Sequence, residues 1–184
     1  MAEEDRPAGF PADLVREVRL DDGRSVLLRP ILPEDEAELR RGVAAADPET
    51  LRMRFLGGRP PQSDADFQHL VQVDYDDRFA VVAVAPDGQG AGIARYERLR
   101  GREDTAEVAV AVDVPWRHVG LATRLLTLLG EAALRHGVRR FEAEFFADNV
   151  DVTDLLDEAG LHYVRTMDES GVVTVDVLLP DSPG

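Results

Sequence analysis

A strand-like run, a short loop and an apolar helix-like run follow one another in the middle of this chain. Ala106-Glu107-Val108-Ala109-Val110-Ala111-Val112 places valine at every second position, the period of a half-buried strand. Leu125 to Leu134 is the helix-like run, and Trp116-Arg117-His118-Val119-Gly120-Leu121-Ala122-Thr123 joins the two. A loop that opens a helix leaves backbone N–H groups without intrahelical acceptors, and the helix dipole adds positive potential there. The unit therefore carries an anion site suited to a phosphate or pyrophosphate. Gly120 lets the backbone approach the anion closely, and Ala122 keeps the next approach nearly as open.

Which phosphate ligand depends on what the loop lacks. There is no Gly-Lys-Ser/Thr of a nucleotide P-loop and no Gly-x-Gly-x-x-Gly of a dinucleotide fold. Arg117 to Ala122 instead reads Arg-x-x-Gly-x-Ala. In its strand–loop–helix setting this resembles the Arg/Gln-x-x-Gly-x-Gly/Ala pyrophosphate loop of the GNAT acetyltransferases, which hold acetyl-CoA. An ordinary tight strand-to-helix turn is the alternative reading.

Of the 184 residues, 44% are hydrophobic, enough for one domain with a sizeable core. The absence of cysteine excludes a disulfide framework, a thiolate nucleophile and a zinc–sulfur site, and no metal is expected. The N-terminus is acidic and lacks the apolar core of a signal peptide. The longest apolar run, Phe79 to Ala85, is far short of the roughly 20 residues a spanning helix needs. A cytoplasmic location is the expectation.

The 36 acidic residues outnumber 21 basic ones, giving a net charge of −15. Such a field repels nucleic acid and anionic membranes and attracts cationic substrates; a proteome-wide acidic bias would produce it as well. Every basic residue is arginine. The chain therefore has no Schiff-base or phosphate-binding lysine, and it offers no lysine side chain for its own acetylation. Codon bias accounts for the same absence.

The rest of the chain reads as one mixed α/β (α+β) unit. Val15 to Leu20 and Ser25 to Arg29 flank a hairpin turn at Asp21-Asp22-Gly23. Pro33 starts a helix with an acidic first turn. A short helix covers Pro48 to Leu56, and Ser63 with Asp66 has capping-box spacing. Strands are expected over Phe79 to Ala85, Gly92 to Leu99 and Thr105 to Asp113. Gly137 stops the long helix. Arg140 to Phe146 is a strand and Asn149 to Ala159 a helix ending at Gly160. Leu161 to Met167 and Val172 to Leu179 form a final hairpin. This is the GNAT order, and it implies a central mixed, mostly antiparallel sheet flanked by helices. A disordered segment over residues 1–14, a single domain over 15–179 and a tail over 180–184 complete the expectation.

Segments outside the loop carry a narrower resemblance. Leu28-Arg29-Pro30-Ile31-Leu32-Pro33-Glu34-Asp35, Leu51-Arg52-Met53-Arg54-Phe55-Leu56, Val73-Asp74-Tyr75-Asp76, Ile93-Ala94-Arg95-Tyr96 and Ala106-Glu107-Val108-Ala109-Val110 are similar to bacterial Pat-type protein lysine acetyltransferase domains. In that group the domain is often fused to a cyclic-nucleotide-binding or acyl-CoA-synthetase-like region, which is not expected within this chain. The resemblance implies an acetyl-CoA-dependent N-acetyltransferase whose acceptor is a protein lysine, such as one on a metabolic enzyme of the acyl-CoA synthetase kind.

A lysine amine with a pKa of about 10.4 is mostly charged at neutral pH, so a positioned base is useful. Strand alternation turns Val108, Val110 and Val112 to the core and Glu107, Ala109 and Ala111 the other way. The two alanines leave a slot for a thin cofactor arm beside the Glu107 carboxylate. The resemblance makes Glu107 the general base; a solvated strand-end glutamate is the other reading. The backbone of Val112, Asp113 and Val114 is placed to pair with the cofactor's amide-bearing arm. Amides of His118, Val119, Gly120, Leu121, Ala122 and Thr123 take the pyrophosphate, with Arg117 adding charge and Thr123 a hydroxyl. Asn149 sits where GNAT proteins often carry a cofactor-touching asparagine, and a helix N-cap is an equal reading. His118 is expected to serve through its backbone and Trp116 to pack at the strand end. Tyr75 and Tyr96 are expected on the rim of the substrate mouth. The tyrosine that many GNAT enzymes use as general acid is replaced by Leu156, which leaves the acid unassigned. Transfer to a small amine, and a non-catalytic acyl-CoA-binding module that senses cofactor, remain the alternatives.

Overall fold

The computed structural model describes residues 6–158 and 162–180. The acidic turn at Asp21 joins β1 (Arg16–Arg19) to β2 (Ser25–Pro30) as an antiparallel hairpin. Pro33–Asp35 forms a single 3-10 turn rather than the start of the helix. The Asp35 carboxylate explains its stability: it accepts from the Leu32 amide at 2.8 Å and from both Arg29 terminal nitrogens at 2.7 and 2.6 Å. Helix α1 (Glu36–Ala45) follows directly. Asp47 caps α2 (Pro48–Arg54) by accepting from the Glu49 and Thr50 amides. The reciprocal Ser63–Asp66 capping box opens α3 (Asp64–Val71). The amides of Gln62 and Ser63 there pull the Asp66 carboxyl down to about 2.

Strands β3 (Arg78–Val84), β4 (Gly90–Arg98) and β5 (Thr105–Val112) extend the meander. Helix α4 (Leu121–Arg135) crosses over to β6 (Arg140–Phe146), which is followed by α5 (Val150–Glu158). The expected end of α5 at Ala159 and Gly160 lies outside the described residues. A last hairpin of β7 (Tyr163–Met167) and β8 (Val172–Leu178) closes on β6. The eight strands lie in the order β1-β2-β3-β4-β5-β6-β8-β7. All neighbours are antiparallel except β5 and β6. A parallel pair needs a crossover, and α4 is that crossover.

The two faces of the sheet are buried differently. On one face α4 presents Leu121, Leu125, Leu128, Leu129, Ala132 and Ala133 to Phe79, Val81, Ala94 and Tyr96, the spacing of one helical stripe. The other face holds a smaller cluster of Ile31, Val71, Ala80 and Val82, with Leu39 of α1 against it. Strand β3 contributes to both, so its central residues are apolar throughout. Helix and sheet meet most tightly at Gly92, where a Cβ would lie 3.0 Å from the Ala111 carbonyl and 3.2 Å from Leu125.

Two expectations are corrected. Much of the 1–14 segment expected to be disordered is packed: Ala12–Leu14 forms a 3-10 turn and Leu14 is buried in the main core. Phe10 meets Tyr75 edge-on with ring centroids 5.8 Å apart. Residues 1–5 and 181–184 lie outside the described residues. Tyr75 and Tyr96 are core residues instead of rim residues. Their hydroxyls donate to the Ile31 and Asp76 carbonyls at 2.8 Å. Burial pushes the Tyr75 phenol up to about 12. Both rings belong to an aromatic row running through Phe79, because a tyrosine can be buried when its hydroxyl finds a partner.

Leu125 is fully buried at the contact between α4 and β4. Leu125→Ala should cost about 2–5 kcal/mol of stability through lost burial and the cavity left behind, measured by urea denaturation.

Candidate functional site

The site arises from a fork in the sheet. Strands β5 and β6 pair at only three positions, Thr105 with Arg140, Ala106 with Phe141 and Glu107 with Glu142. Beyond them β5 stays paired to β4 as far as Val112, and β6 to β8 as far as Phe146. The β5 edge from Val108 onward therefore has no strand partner on its β6 side among the described residues. Glu107 stands at the apex of the fork. A groove of about 1580 Å³ opens there, between β5, β6, α2 and the facing ends of α4 and α5. It exceeds a typical small-ligand pocket and suits an extended molecule. Ala109 and Ala111 form part of its floor. Val108, Val110 and Val112 pack against the core, as strand alternation requires.

The loop before α4 forms the mouth of this groove. His118 and Gly120 both take the left-handed conformation, with φ of 57° and 79°. Such alternation turns successive N–H groups to one side. The amides of residues 118 to 123 have no acceptor among the described residues, and the first intrahelical donors of α4 lie beyond them. His118 is exposed, and it serves the loop through its backbone geometry. Arg117 turns back, and its Nε donates to the Val112 carbonyl at 3.2 Å. Asp113 is internally committed as well: its amide donates to Ala91 and its carbonyl accepts from Trp116. The backbone free for an added strand is thus the β5 edge over 108–112. Asn149 and Thr123 line the groove, as does Leu156 on α5, and no tyrosine lines it among the described residues.

The β1–β2 turn braces this loop, a contact that local sequence does not signal. Arg24 stacks on Trp116 at 3.9 Å and donates to the Pro115 carbonyl at 2.8 Å. The Asp21 amide donates to the Val119 carbonyl. The Asp21 carboxylate sits where a Gly120 Cβ would come within 2.6 Å of Oδ2. The left-handed backbone is what favours glycine at 120, and a Cβ there would in addition push the exposed Asp21 carboxylate aside.

Electrostatics single out Glu107. Its side chain is open to the groove, yet the groove walls remove enough water to raise its carboxyl pKa. Glu144, Glu97 and Glu142 add to the rise, and Arg95 opposes it. A carboxylate with a raised pKa is a stronger base. Asp113 is raised too, by desolvation, against the pull of Arg54 and Arg117. Arg54 and Arg95 are the charged groups that sequence reasoning passed over, because neither belongs to the loop or to β5. Among the described residues no cluster of three or more metal-ligating side chains is found.

Comparisons with known proteins agree with this geometry. The family described as an acetyltransferase (GNAT) domain matches residues 25–162. An acetyltransferase of Pseudomonas aeruginosa is 34% identical over 154 residues, covering 82% of each chain. Acetyltransferase Pat of Mycolicibacterium smegmatis is 32% identical over 164 residues, 89% of this chain and 48% of that protein. The chain thus spans about half the length of that relative. The crystal structure of the GNAT domain of S. lividans PAT superposes with a TM-score of 0.82 at 28% identity, covering 92% of this chain and 99% of that one.

Gly120→Ala should lower stability by about 1–2 kcal/mol for the left-handed backbone alone, with a further cost from Asp21. In a protein of this size each kcal/mol lowers Tm by about 2–4 °C. Adding Asp21→Ala should recover the steric share and leave the backbone share, as read by calorimetry of both proteins.

Proposed function

The chain belongs to the GNAT acetyltransferase family, and on that premise we propose that it transfers the acetyl group of acetyl-CoA to the ε-amino group of a protein lysine, with Glu107 as general base. The observation that carries this reading is the place of Glu107, at the apex of the β5–β6 fork with its pKa raised. The likeness to Pat of M. smegmatis and to the S. lividans PAT domain supports a protein acceptor. An enzyme of the acyl-CoA synthetase kind is a candidate. The net charge of −15 would steer a cationic lysine inward. No helix among the described residues is long and apolar enough to cross a membrane, which fits a cytoplasmic setting.

The residues have separate tasks. The free amides of His118 to Thr123, at the positive end of α4, hold the pyrophosphate. The open edge over 108–112 receives the amide-bearing arm as an added strand, with Asp113 and Val114 at its outer end. Arg117 adds positive charge at the loop, and Asn149 faces the arm from the β6 side. Acetyl-CoA supplies the thioester. Glu107 takes a proton from the ammonium, directly or through one water, and the freed amine attacks the thioester carbonyl carbon. The C–N bond forms as the C–S bond breaks, the sulfur leaves as thiolate, and the nitrogen sheds its second proton to solvent to give the neutral amide. Leu156 offers no proton to it. A thiol pKa near 8.5 makes the thiolate a tolerable leaving group without an acid.

Glu107→Gln keeps shape and removes basicity. Acetyl-CoA should still raise its melting temperature, since the binding contacts lie elsewhere. Turnover on lysine peptides should fall about 10²- to 10⁴-fold and partly recover at high pH, where more amine is already neutral. Rates within about twofold of the native chain at neutral pH, the behaviour of an ordinary surface substitution, would remove Glu107 from the mechanism. Binding of acetyl-CoA with no transfer to any amine would favour a sensing module, and transfer to small amines alone would replace the protein acceptor.

A further inference from the structure

Many arginines of this chain end on carboxylates, as Arg29 does on Asp35, Arg98 on Asp76 and Asp77, and Arg135 on Asp13 and Glu131. Arg54 and Arg95 do not. Neither makes a hydrogen bond or an ion pair among the described residues, although the chain has 36 acidic residues to offer. Nη1 of Arg95 is sealed from solvent without a partner. Arg54, at the end of α2, lines the groove. Arg95 lies on β4 directly opposite Ala109, on the face that carries Glu107. Arg54 and Arg95 act on each other electrostatically, and Arg95 acts on Glu107, so the two cations share one neighbourhood beside the proposed base. Burial lowers both guanidinium pKa values; Arg78 and Arg54 add to the effect at Arg95, against Glu97 and Glu107.

An enclosed cation without a counter-ion is costly, and guanidinium is the group best shaped to grip a carboxylate with two parallel hydrogen bonds. An ammonium at Glu107 meets repulsion from Arg95, which acts electrostatically on Glu107 and is itself acted on by Arg54, and a carboxylate carried beside the amine would offset it. An acetyl group is neutral and, on the acetyl-transfer reading above, the pyrophosphate is held by the amides of His118 to Thr123, so the anion for these two arginines comes with the acceptor. We infer that Arg54 and Arg95 form a carboxylate-binding subsite, and that preferred acceptors carry an aspartate or glutamate beside the target amine. The site is then bipolar, taking the ammonium at Glu107 and the neighbouring carboxylate at the two arginines.

The test uses the full chain saturated with free CoA and fluorescein-labelled peptides whose central lysine is flanked by glutamate, alanine or arginine. By anisotropy, the glutamate-flanked peptide should bind about tenfold more tightly than the alanine-flanked one, a value typical of a gained charge-assisted contact, and the gap should narrow with salt. Arg54→Met and Arg95→Met should each bring the two peptides close to parity while the CoA-induced rise in melting temperature persists. Arg54→Lys and Arg95→Lys, which keep the charge but not the fork, should retain part of the preference even where the methionine variants fail to fold. Equal binding of the peptides by the native chain, or a preference that survives both arginine changes, overturns the subsite. It is equally overturned if succinyl-CoA outperforms acetyl-CoA on the alanine-flanked peptide and loses that advantage in the variants, since the carboxylate then rides on the acyl group. Selective binding with no acetyl transfer would sink the transferase reading and leave the subsite standing; transfer without selectivity would do the reverse.

Discussion

The separation of β5 from β6 after Glu107 is the constraint on which the site depends. A strand edge inside a sheet is normally paired, because unpaired amides and carbonyls deprived of water are costly. Here pairing stops after three positions, and the edge over 108–112 is left to solvent or to a ligand that can act as a strand. The same opening sets Glu107 at the apex of the fork, where desolvation raises its carboxyl pKa. One backbone feature thus provides both an open strand edge and a carboxylate of altered basicity. α4 makes it affordable: its leucine stripe anchors β3, β4 and β5 from the opposite face, so the sheet stays whole while its middle opens.

Charge is organised on the same plan. The chain is strongly acidic, yet the open mouth of α4 is lined by amides, and Arg117 leans over the end of β5. Glu144, Glu97 and Glu142 surround Glu107 near the apex, and each adds to the rise in its pKa that desolvation begins. Arg95 opposes that rise from the same face of the sheet, and Arg54 lines the groove nearby. The β1–β2 turn ties the outer loop into this arrangement through Arg24 and Asp21, so that loop and the first hairpin of the chain are mechanically joined.

Local chemistry made most elements legible in the sequence. The Ser63–Asp66 pair announced α3, Gly137 the end of α4, and valine alternation the orientation of β5. Each rests on interactions within a few residues along the chain, which composition and period report directly. The loop from Arg117 to Thr123 was legible for the same reason, since a helix start after a strand leaves its amides free whatever surrounds it. Leu14 and Phe10 were misread because an acidic, proline-containing stretch carries no periodic signal, and only contact with the core orders it. Tyr75 and Tyr96 were misread because a tyrosine's side of the surface depends on whether a carbonyl waits for its hydroxyl.

The sequence by itself therefore determined the strand–loop–helix unit, the order of elements and the face of β5 that carries Glu107, all products of short-range pattern. Tertiary structure alone decided where β5 and β6 part, that Arg24 reaches across 91 positions to the loop at Pro115 while Asp21 bonds Val119, and that Arg54 and Arg95 make no hydrogen bond or ion pair among the described residues. Those features depend on which distant segments come within a few ångströms of one another. Such distances follow from the packing of whole elements, and no local run of residues encodes them.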